Sequence, residues 1–217
     1  MSYYVDNLSL GKDSMAMVLR KVEEGIMPID ECVYFSMGEV EFECMFVLEE
    51  KMRTYLESHG IKFTVLHLEQ PYTYLAAEKE FVKRDGRIQQ GYQWCGGKCR
   101  WATSLKLQGI EKYLRSLGRD DIVQSVGIAY DERGRADKGL INNRSRFPKV
   151  YPLIEWNWTE QDCLNYCHKL GWKWEVFSET LGRNIDLYDG FLTRLSCFCC
   201  YNKSLRELYN VFRFLPD

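Results

Sequence analysis

Strand-like and helix-like hydrophobic patterns alternate along the first part of the chain. "YYVDNLSL" reads as a strand, and the apolar repeat of helical period after it predicts a helix that ends at Gly25. A strand at Glu31 to Ser36, a helix at Phe42 to Ser58 and a strand at Ile61 to Leu68 continue the alternation. This order favours right-handed crossovers and a parallel sheet with helices on both faces. We therefore predict an α/β fold.

The pattern is looser after Gln70, and we expect one appended segment rather than a second full domain. The predicted division is an α/β domain over 1–155 and a C-terminal helical segment over 156–217 that packs on the same core. The elements predicted beyond Gln70 are helices at Tyr72–Lys83, Thr103–Leu117, Thr159 to about Leu170 and Tyr201–Phe214, a loop over 84–93, a strand at Asp121–Ile128 and an extended piece over 149–156.

Composition limits the classes of protein that fit. With 46% hydrophobic and 28% charged residues, a chain of 217 residues can bury one substantial core. It has no apolar run near the roughly 20 residues that span a bilayer, and "MSYYVDNLSL" has no basic region before an apolar one. We therefore expect a cytoplasmic protein without membrane contact. A net charge of -2 argues against coating of nucleic acid by bulk electrostatics but leaves a local basic patch open.

The chain has nine cysteines, which we interpret as metal ligands, redox groups or buried hydrophobes rather than as disulfides. Cys32 and Cys44 lie in apolar surroundings and are expected in the core. Cys163 and Cys167 are four residues apart on a predicted helix, which would allow chelation. No partner pair with ligand spacing lies nearby, so a small apolar helix face is the favoured interpretation.

The stretch "LSLGKDS", Leu8 to Ser14, joins the first strand to the first helix. A loop in this position presents unpaired backbone N-H groups at the positive end of a helix, which suits it to hold phosphate. Gly11 permits close approach of the backbone, Lys12 carries a positive charge, and serine hydroxyls flank them. The Walker A pattern is not met, because it requires glycine at Asp6 and Ser or Thr at Asp13. An ordinary strand-to-helix turn with a capping serine remains the alternative.

Several stretches carry a resemblance to a known family. "SLGKDS" is similar to the SGGKDS loop of the adenine nucleotide alpha-hydrolase, or ATP-pyrophosphatase, superfamily, with Leu10 at its second position. "YFSMGEVEF", "GIAYDERGR" and "VYPLIEW" resemble segments of its phosphoadenosine phosphosulfate (PAPS) reductase family in the same order. The resemblance spans most of the chain. Ser36 stands where the family usually has Asp.

The resemblance implies a Rossmann-like adenine nucleotide alpha-hydrolase fold, with the nucleotide across the carboxyl edge of the sheet. Open α/β sheets bind ligands there on topological grounds too. In cleavage of ATP at the alpha-phosphate, Lys12, the helix N-terminus and Mg²⁺ would stabilise the pyrophosphate, with Asp13 as a metal partner. The resemblance makes Lys12 and Asp13 the catalytic residues and gives as nucleotide-binding residues Ser9, Gly11, Lys12, Asp13, Ser14, Phe35, Ser36, Gly127 and Arg133.

Two short-spaced cysteine pairs are the candidate metal ligands: Cys95 with Cys99, and Cys197 with Cys200. Four thiolates in this spacing satisfy either zinc or a four-iron cluster, and unligated core thiols are the third interpretation. The pattern resembles the [4Fe-4S] ligands of adenylylsulfate reductases and of the ATP-pyrophosphatase component of DNA phosphorothioation systems, which implies a cluster. Cys199 competes with Cys200 for the fourth position, and the Cys-x-x-Cys spacing favours Cys200.

Three functions follow from these motifs. Lys12, Asp13 and Ser14 are all present and no cysteine follows Cys200, so ATP-dependent adenylation of an acceptor, with sulfur transfer, is favoured over reduction of a sulfonucleotide (APS or PAPS). A noncatalytic nucleotide-binding protein with structural zinc is the third. The expected partners are an adenine nucleotide and a sulfur donor such as a cysteine desulfurase. A nucleic acid acceptor remains open, because six basic side chains lie between residues 133 and 149 and six tryptophans are available for stacking.

Overall fold

The computed structural model describes residues 2–92, 99, 102–141 and 145–215, with the backbone alone at 139–141. Short 3-10 turns at Gly38–Val40 and Tyr130–Glu132 and a π-type turn at Tyr74–Glu78 separate some of the longer elements. In chain order these elements are β1 (Tyr3–Leu8), α1 (Lys12–Glu24), β2 (Glu31–Ser36), α2 (Glu43–Ser58), β3 (Lys62–His67), β4 (Glu80–Val82), β5 (Ile88–Gln90), α3 (Thr103–Ser116), β6 (Ile122–Val126), α4 (Arg133–Ile141), β7 (Lys149–Val150), α5 (Pro152–Glu155), α6 (Glu160–Lys169), β8 (Glu175–Ser178), β9 (Arg183–Asp186) and α7 (Leu205–Phe214).

Five strands form a parallel sheet in the order β3-β2-β1-β6-β7. β1 lies between β2 and β6, with Leu8 opposite Tyr34 and Asn7 opposite Val126. The chain runs outward from β1 to β2 and β3, and then returns to the other side of β1 at β6. This reversal is the switch point at which such sheets bind ligands, beyond the carboxyl ends of β1 and β6.

The sheet and its flanking helices confirm the predicted α/β fold. The helix predicted at Tyr72–Lys83 was right only in its first part, the π-type turn at Tyr74–Glu78. β4 and β5 form an antiparallel hairpin, which replaces the end of that helix and a part of the loop predicted over 84–93. Gly86 takes a φ of 80° in the turn, a conformation that glycine adopts readily. The β8–β9 hairpin has no counterpart among the predicted elements.

The chain divides into two compact units that interleave along the sequence. Unit 1 comprises residues 1–34, 45–65 and 111–173, and unit 2 comprises residues 35–44, 66–110 and 174–217. Neither unit is one continuous stretch, and the predicted division at residue 155 stays a prediction. Within the described part of the chain, no helix is both long and apolar enough to cross a membrane.

A buried ion pair ties the first helix of unit 1 to its sheet. Lys21 on α1 donates to both carboxylate oxygens of Asp6 on β1, at 2.7 and 2.9 Å, and to the hydroxyl of Ser125 on β6 at 2.9 Å. Both charged side chains are fully buried. Burial raises the pKa of the Asp6 carboxyl, and the ammonium of Lys21 and the hydroxyl of Ser125 oppose that rise. The network fixes α1, the helix that follows the loop after β1, against two strands.

Candidate functional site

The loop over 9–11 leaves β1 and enters α1 at the switch point of the sheet. Gly127 follows β6, the neighbouring strand, and its backbone lies against the start of α1. A Cβ atom added to Gly127 would stand 2.7 Å from Ser14 Cα and 2.8 Å from Ser14 N. The structure therefore brings the predicted residues Gly11, Ser14 and Gly127 together within unit 1, and gives Gly127 a steric reason to be glycine.

Hydrogen bonds of serine hydroxyls within the loop determine its shape. The Ser14 hydroxyl accepts from the backbone N-H of Ser9 at 3.0 Å, lies 2.9 Å from the Ser9 hydroxyl and donates to the carbonyl of Gly11 at 3.1 Å. Gly11 is the N-cap residue of α1 and, being glycine, has no side chain to accept a capping hydrogen bond. These bonds fix the shape of the loop while the first N-H groups of α1 stay directed beyond its N-terminus, as anion binding requires.

Lys12 is 5% exposed, and its ammonium contacts two carboxylates. Its Nζ lies 2.5 Å from Oε2 of Glu160, at the start of α6, and 3.6 Å from Oδ1 of Asp13. The N-H of Glu160 in turn donates to Asp131 at 3.1 Å. Thr159 caps α6 as predicted, in a reciprocal capping box with Asp162. Thus α1, α6 and the turn at Tyr130–Glu132 all supply charged groups to the loop.

The second carboxylate of this group, Asp13, has an unusual environment. Its Oδ1 atom is one of two buried side-chain oxygens without a hydrogen-bond partner among the described residues. Burial raises the pKa of Asp13 to about 6, although the neighbouring Lys12 ammonium lowers it; the Glu160 carboxylate adds to the rise. A carboxylate oxygen that accepts no hydrogen bond is suited to bind a cation that arrives with a ligand.

The remaining predicted nucleotide contacts lie in different settings. Arg133, exposed at the start of α4, places its guanidinium 5.7 Å from the ring centre of Tyr130. Phe35 and Ser36 end β2 and belong to unit 2. The Ser36 hydroxyl donates to Oε2 of Glu41 at 3.0 Å, so a buried carboxylate stands close to the position where the resembling family has Asp.

The predicted cysteines that the structure describes lie in unit 2. Cys99, Cys197 and Cys199 all pack against one small core made by Phe35, Met37, Val40 and Ala102. The backbone N-H of Ala102 donates to Cys99 Sγ at 3.3 Å, and the N-H of Cys200 donates to the carbonyl of Cys197 at 3.0 Å. Two chain segments about a hundred residues apart therefore meet at one apolar surface. Cys95 lies outside the described residues.

Polar side chains lie close to these thiols and affect their electrostatic environment. The Cys199 Sγ atom lies 3.6 Å from the Tyr72 hydroxyl. Burial raises the pKa of Cys197 to about 12, while the ammonium of Lys106 opposes the rise. Lys203 is 8% exposed and donates to the Ser196 hydroxyl at 2.7 Å; burial lowers its pKa and the nearby thiols oppose that. Lys203 is therefore a buried cation close to the thiols.

The donor set fits a soft metal or a cluster by its chemistry, since several thiols share one apolar surface with the buried Lys203, whose charge would offset that of thiolates. No three Cys, His, Asp or Glu side chains in the described ranges are arranged as a metal centre by themselves. The other cysteines serve packing: Cys32, Cys44, Cys163 and Cys167 are buried, as expected. Cys163 and Cys167 lie behind the phosphate loop, where Cys167 Sγ is 3.5 Å from the Lys12 carbonyl.

Glu160, Asp131 and Tyr72 are site residues that the sequence reasoning missed. Glu160 is 148 positions from Lys12, and no local motif marks it. Asp131 lies inside "GIAYDERGR", where the family resemblance indicates Arg133. The predicted basic stretch is partly neutralised, because Arg135 pairs with Glu132 and Arg146 with Asp120.

No protein-family profile and no curated protein matches the sequence. Among solved structures, the fold is similar to that of the U34-tRNA thiolase NcsA from Methanococcus maripaludis with its [4Fe-4S] cluster, at a TM-score of 0.51 and 15% identity. The match covers 78% of this chain and 56% of that one, so this chain spans a little over half the length of the thiolase. At this identity the similarity establishes the α/β fold.

Proposed function

We propose that this chain is an ATP-pyrophosphatase of the PAPS reductase type, which adenylates an acceptor and supports transfer of sulfur to it. One observation carries the proposal: a glycine-containing loop at the sheet's switch point places buried Lys12 at the N-terminus of α1, beside a carboxylate oxygen that accepts no hydrogen bond. A polyphosphate would bind there, with its oxygens on the N-H groups of α1 and its Mg²⁺ on Asp13.

The chemistry assigned to the loop is displacement at the alpha-phosphorus. An acceptor oxygen attacks that phosphorus, the bond to the bridging oxygen breaks, and pyrophosphate leaves with the electron pair. The adenylated acceptor then has AMP as its leaving group for a sulfur nucleophile. Lys12 and the helix N-terminus face the charge that develops on pyrophosphate, which is the charge that must be stabilised for the step to be fast.

The cysteines are assigned to a [4Fe-4S] cluster, with Cys95, Cys99, Cys197 and Cys200 as ligands and zinc as the alternative metal. When bound, such a cluster supplies an iron-sulfur centre for handling sulfur or electrons. The thiols of unit 2 and the buried Lys203 support this assignment, since four thiolates need neighbouring positive charge. The thiolase with its [4Fe-4S] cluster is a solved structure of the same fold.

The sulfur donor is proposed to be a cysteine desulfurase or a comparable persulfide source. A nucleic acid is the proposed acceptor class, supported by the fold shared with a U34-tRNA thiolase and by exposed basic residues such as Arg133. The paired state of Arg135 and Arg146 reduces the basic stretch available to a phosphate backbone, so the test includes reactions with and without RNA.

The test is exchange of labelled pyrophosphate into ATP by anaerobically purified protein, with total tRNA as acceptor. The Lys12→Ala variant should lose exchange while remaining folded, because it removes charge from the leaving group. Lys169→Ala, which removes an exposed lysine on α6, is the matched control and should exchange normally. Normal exchange by Lys12→Ala would overturn the proposal. Release of sulfite from adenylylsulfate without pyrophosphate formation would establish the reductase instead, and ATP binding without exchange would favour the noncatalytic protein.

A further inference from the structure

Glu160 occupies the place beside Lys12 that a ligand phosphate would take. Its Oε2 atom lies 2.5 Å from Lys12 Nζ, in a pair whose lysine side chain is 6% exposed and whose glutamate side chain is 26% exposed. A carboxylate hydrogen-bonded to an ammonium at this distance is a strong, charge-assisted interaction. An incoming phosphate oxygen must compete with this carboxylate for the same ammonium.

The charges around the ammonium make that competition unequal. Asp13 stands 3.6 Å from Lys12 Nζ on α1, and Asp131 binds the backbone N-H of Glu160 from the neighbouring turn. With Glu160 in place, two carboxylates contact the one ammonium, and the Asp131 carboxylate lies behind Glu160. A polyphosphate that enters beside Glu160 meets like charge, so a bound phosphate and this carboxylate disfavour each other.

The Glu160 carboxylate can also move from Lys12 into solvent with little loss of free energy. It is the first residue of α6, where Thr159 is the N-cap, so its carboxylate is already at the positive end of a helix. Being partly exposed, the carboxylate can leave Lys12 for solvent without becoming a buried, unpaired charge. Lys12, in contrast, is buried and has little room to move away.

We infer that Glu160 is a displaceable anion that holds Lys12 when no nucleotide is bound, weakens the binding of nucleotide and promotes release of pyrophosphate. The inference rests on the proposed function of the loop and adds an affinity-determining residue to it. As pyrophosphate leaves, the carboxylate returns to the ammonium, so the empty site never contains an unpaired buried lysine.

The experiment measures the affinity of ATP with Mg²⁺, and separately that of inorganic pyrophosphate, by calorimetry on the full chain. Glu160→Gln keeps the size and a hydrogen-bonding oxygen but removes the competing charge. It should bind both probes about tenfold more tightly than wild type, the change expected for one lost charge-assisted competitor. Glu155→Gln, which removes an exposed carboxylate at the end of α5, is the matched control and should bind as wild type.

If Glu160 served folding alone, Glu160→Gln would bind the probes equally or more weakly. Tighter binding therefore distinguishes a displaceable anion from a purely structural residue. Thermal melting checks that the variant is folded, and Glu160→Ala gives a second removal of the charge. If the wild-type protein binds ATP and both folded variants bind it equally or more weakly, the inference is overturned and the proposed function stands. Absence of ATP binding by wild type would overturn the proposed function itself, and the inference with it.

Discussion

Gly127→Ala is the substitution for which the structure gives the most direct steric consequence. The new Cβ would meet backbone atoms of the first turn of α1, at 2.7 Å from Ser14 Cα, 2.8 Å from Ser14 N and 3.1 Å from the carbonyl carbon of Asp13. Ordinary van der Waals contact begins at 3.4 Å, so the closest pair must separate by 0.7 Å, the difference between 3.4 and 2.7 Å. Backbone cannot rotate away as a flexible side chain would, so α1 or the end of β6 must move.

Such overpacking typically costs about 1 to 3 kcal/mol of unfolding free energy. Nucleotide binding should be affected more strongly than stability, because the displaced atoms belong to the turn whose N-H groups are proposed to hold the phosphates. A misplacement of about 1 Å reduces catalytic efficiency by as much as about a hundredfold. We therefore expect Gly127→Ala to fold with lowered stability and to lose about tenfold to a hundredfold in kcat/KM for ATP-pyrophosphate exchange.

Urea denaturation and exchange kinetics measure the two effects on the same preparations. Gly134→Ala is the matched control, because Gly134 lies in α4 with nothing within 4 Å of an added Cβ, and alanine is favoured over glycine in a helix by roughly 0.5 to 1 kcal/mol. That variant should exchange normally and be as stable as wild type or slightly more so. A folded Gly127→Ala protein with wild-type kinetics would refute the argument that this glycine is required by the loop.

Three further predictions concern stability and the cysteines. Burial raises the pKa of Glu207, but hydrogen bonds from the backbone and hydroxyls around the start of α7 outweigh it and bring the pKa to about 2. Because this folded-state pKa lies below the ordinary value of 4.5, the stabilisation by Glu207 is complete above pH 4.5 and is lost as the pH falls towards 2. Glu207→Gln should therefore lower the free energy of unfolding by about 2 to 3 kcal/mol at pH 7 and by little at pH 2, as measured by urea denaturation. Lys21→Met should destabilise the fold by about 3 to 5 kcal/mol, because it leaves the buried Asp6 carboxylate unpaired, and Asp6→Asn in the same background should recover part of the loss; no recovery would argue against the ion pair as the cause. Iron content after anaerobic purification should fall sharply for Cys200→Ser and persist for Cys199→Ser, and the reverse pattern would transfer the ligand assignment to Cys199.

Local sequence signals were sufficient for the part of the fold that carries the phosphate loop. β1, the loop and α1 follow one another without a break, and their hydrophobic periods differ clearly, so strand, turn and helix could each be predicted within a few residues. Gly25 ends α1 in the left-handed conformation, as its position indicated. The parallel arrangement of the strands also followed from the alternation of elements.

The hairpin of β4 and β5 was missed because its strands have three residues each, too few to show a period of two. The Asp85-Gly86 pair was the available signal, since this dipeptide favours a tight turn between strands. Gly109 lies inside the helix predicted at Thr103–Leu117, a position where glycine is unfavourable. Its cause is tertiary: an added Cβ would lie 2.2 Å from the Phe35 ring, so a contact distant in sequence requires the glycine.

The candidate site was predictable only where one motif contained it. Gly11 to Ser14 form such a motif, whereas Glu160 reaches Lys12 through the packing of α6 against α1. A long-range contact of this kind depends on topology, which a single sequence does not supply. The grouping of Cys99 with Cys197 was inferable from spacing, but the neighbouring Tyr72 was not, because a lone tyrosine in a polar stretch carries no pattern.

Leu10 couples the backbone shape of the loop after β1 to the packing of the core, which a glycine in its place would not do. Its φ of 56° is in the left-handed region, which costs a leucine roughly 1 to 2 kcal/mol, and its side chain is fully buried. Burial of a leucine returns about 1.5 to 3 kcal/mol, so the loop keeps this backbone shape only while the side chain stays packed. Fluctuations that loosen the core should therefore release the loop at the same moment. Amide hydrogen exchange in the loop is then expected to report on the opening of the interior rather than on fraying of the surface.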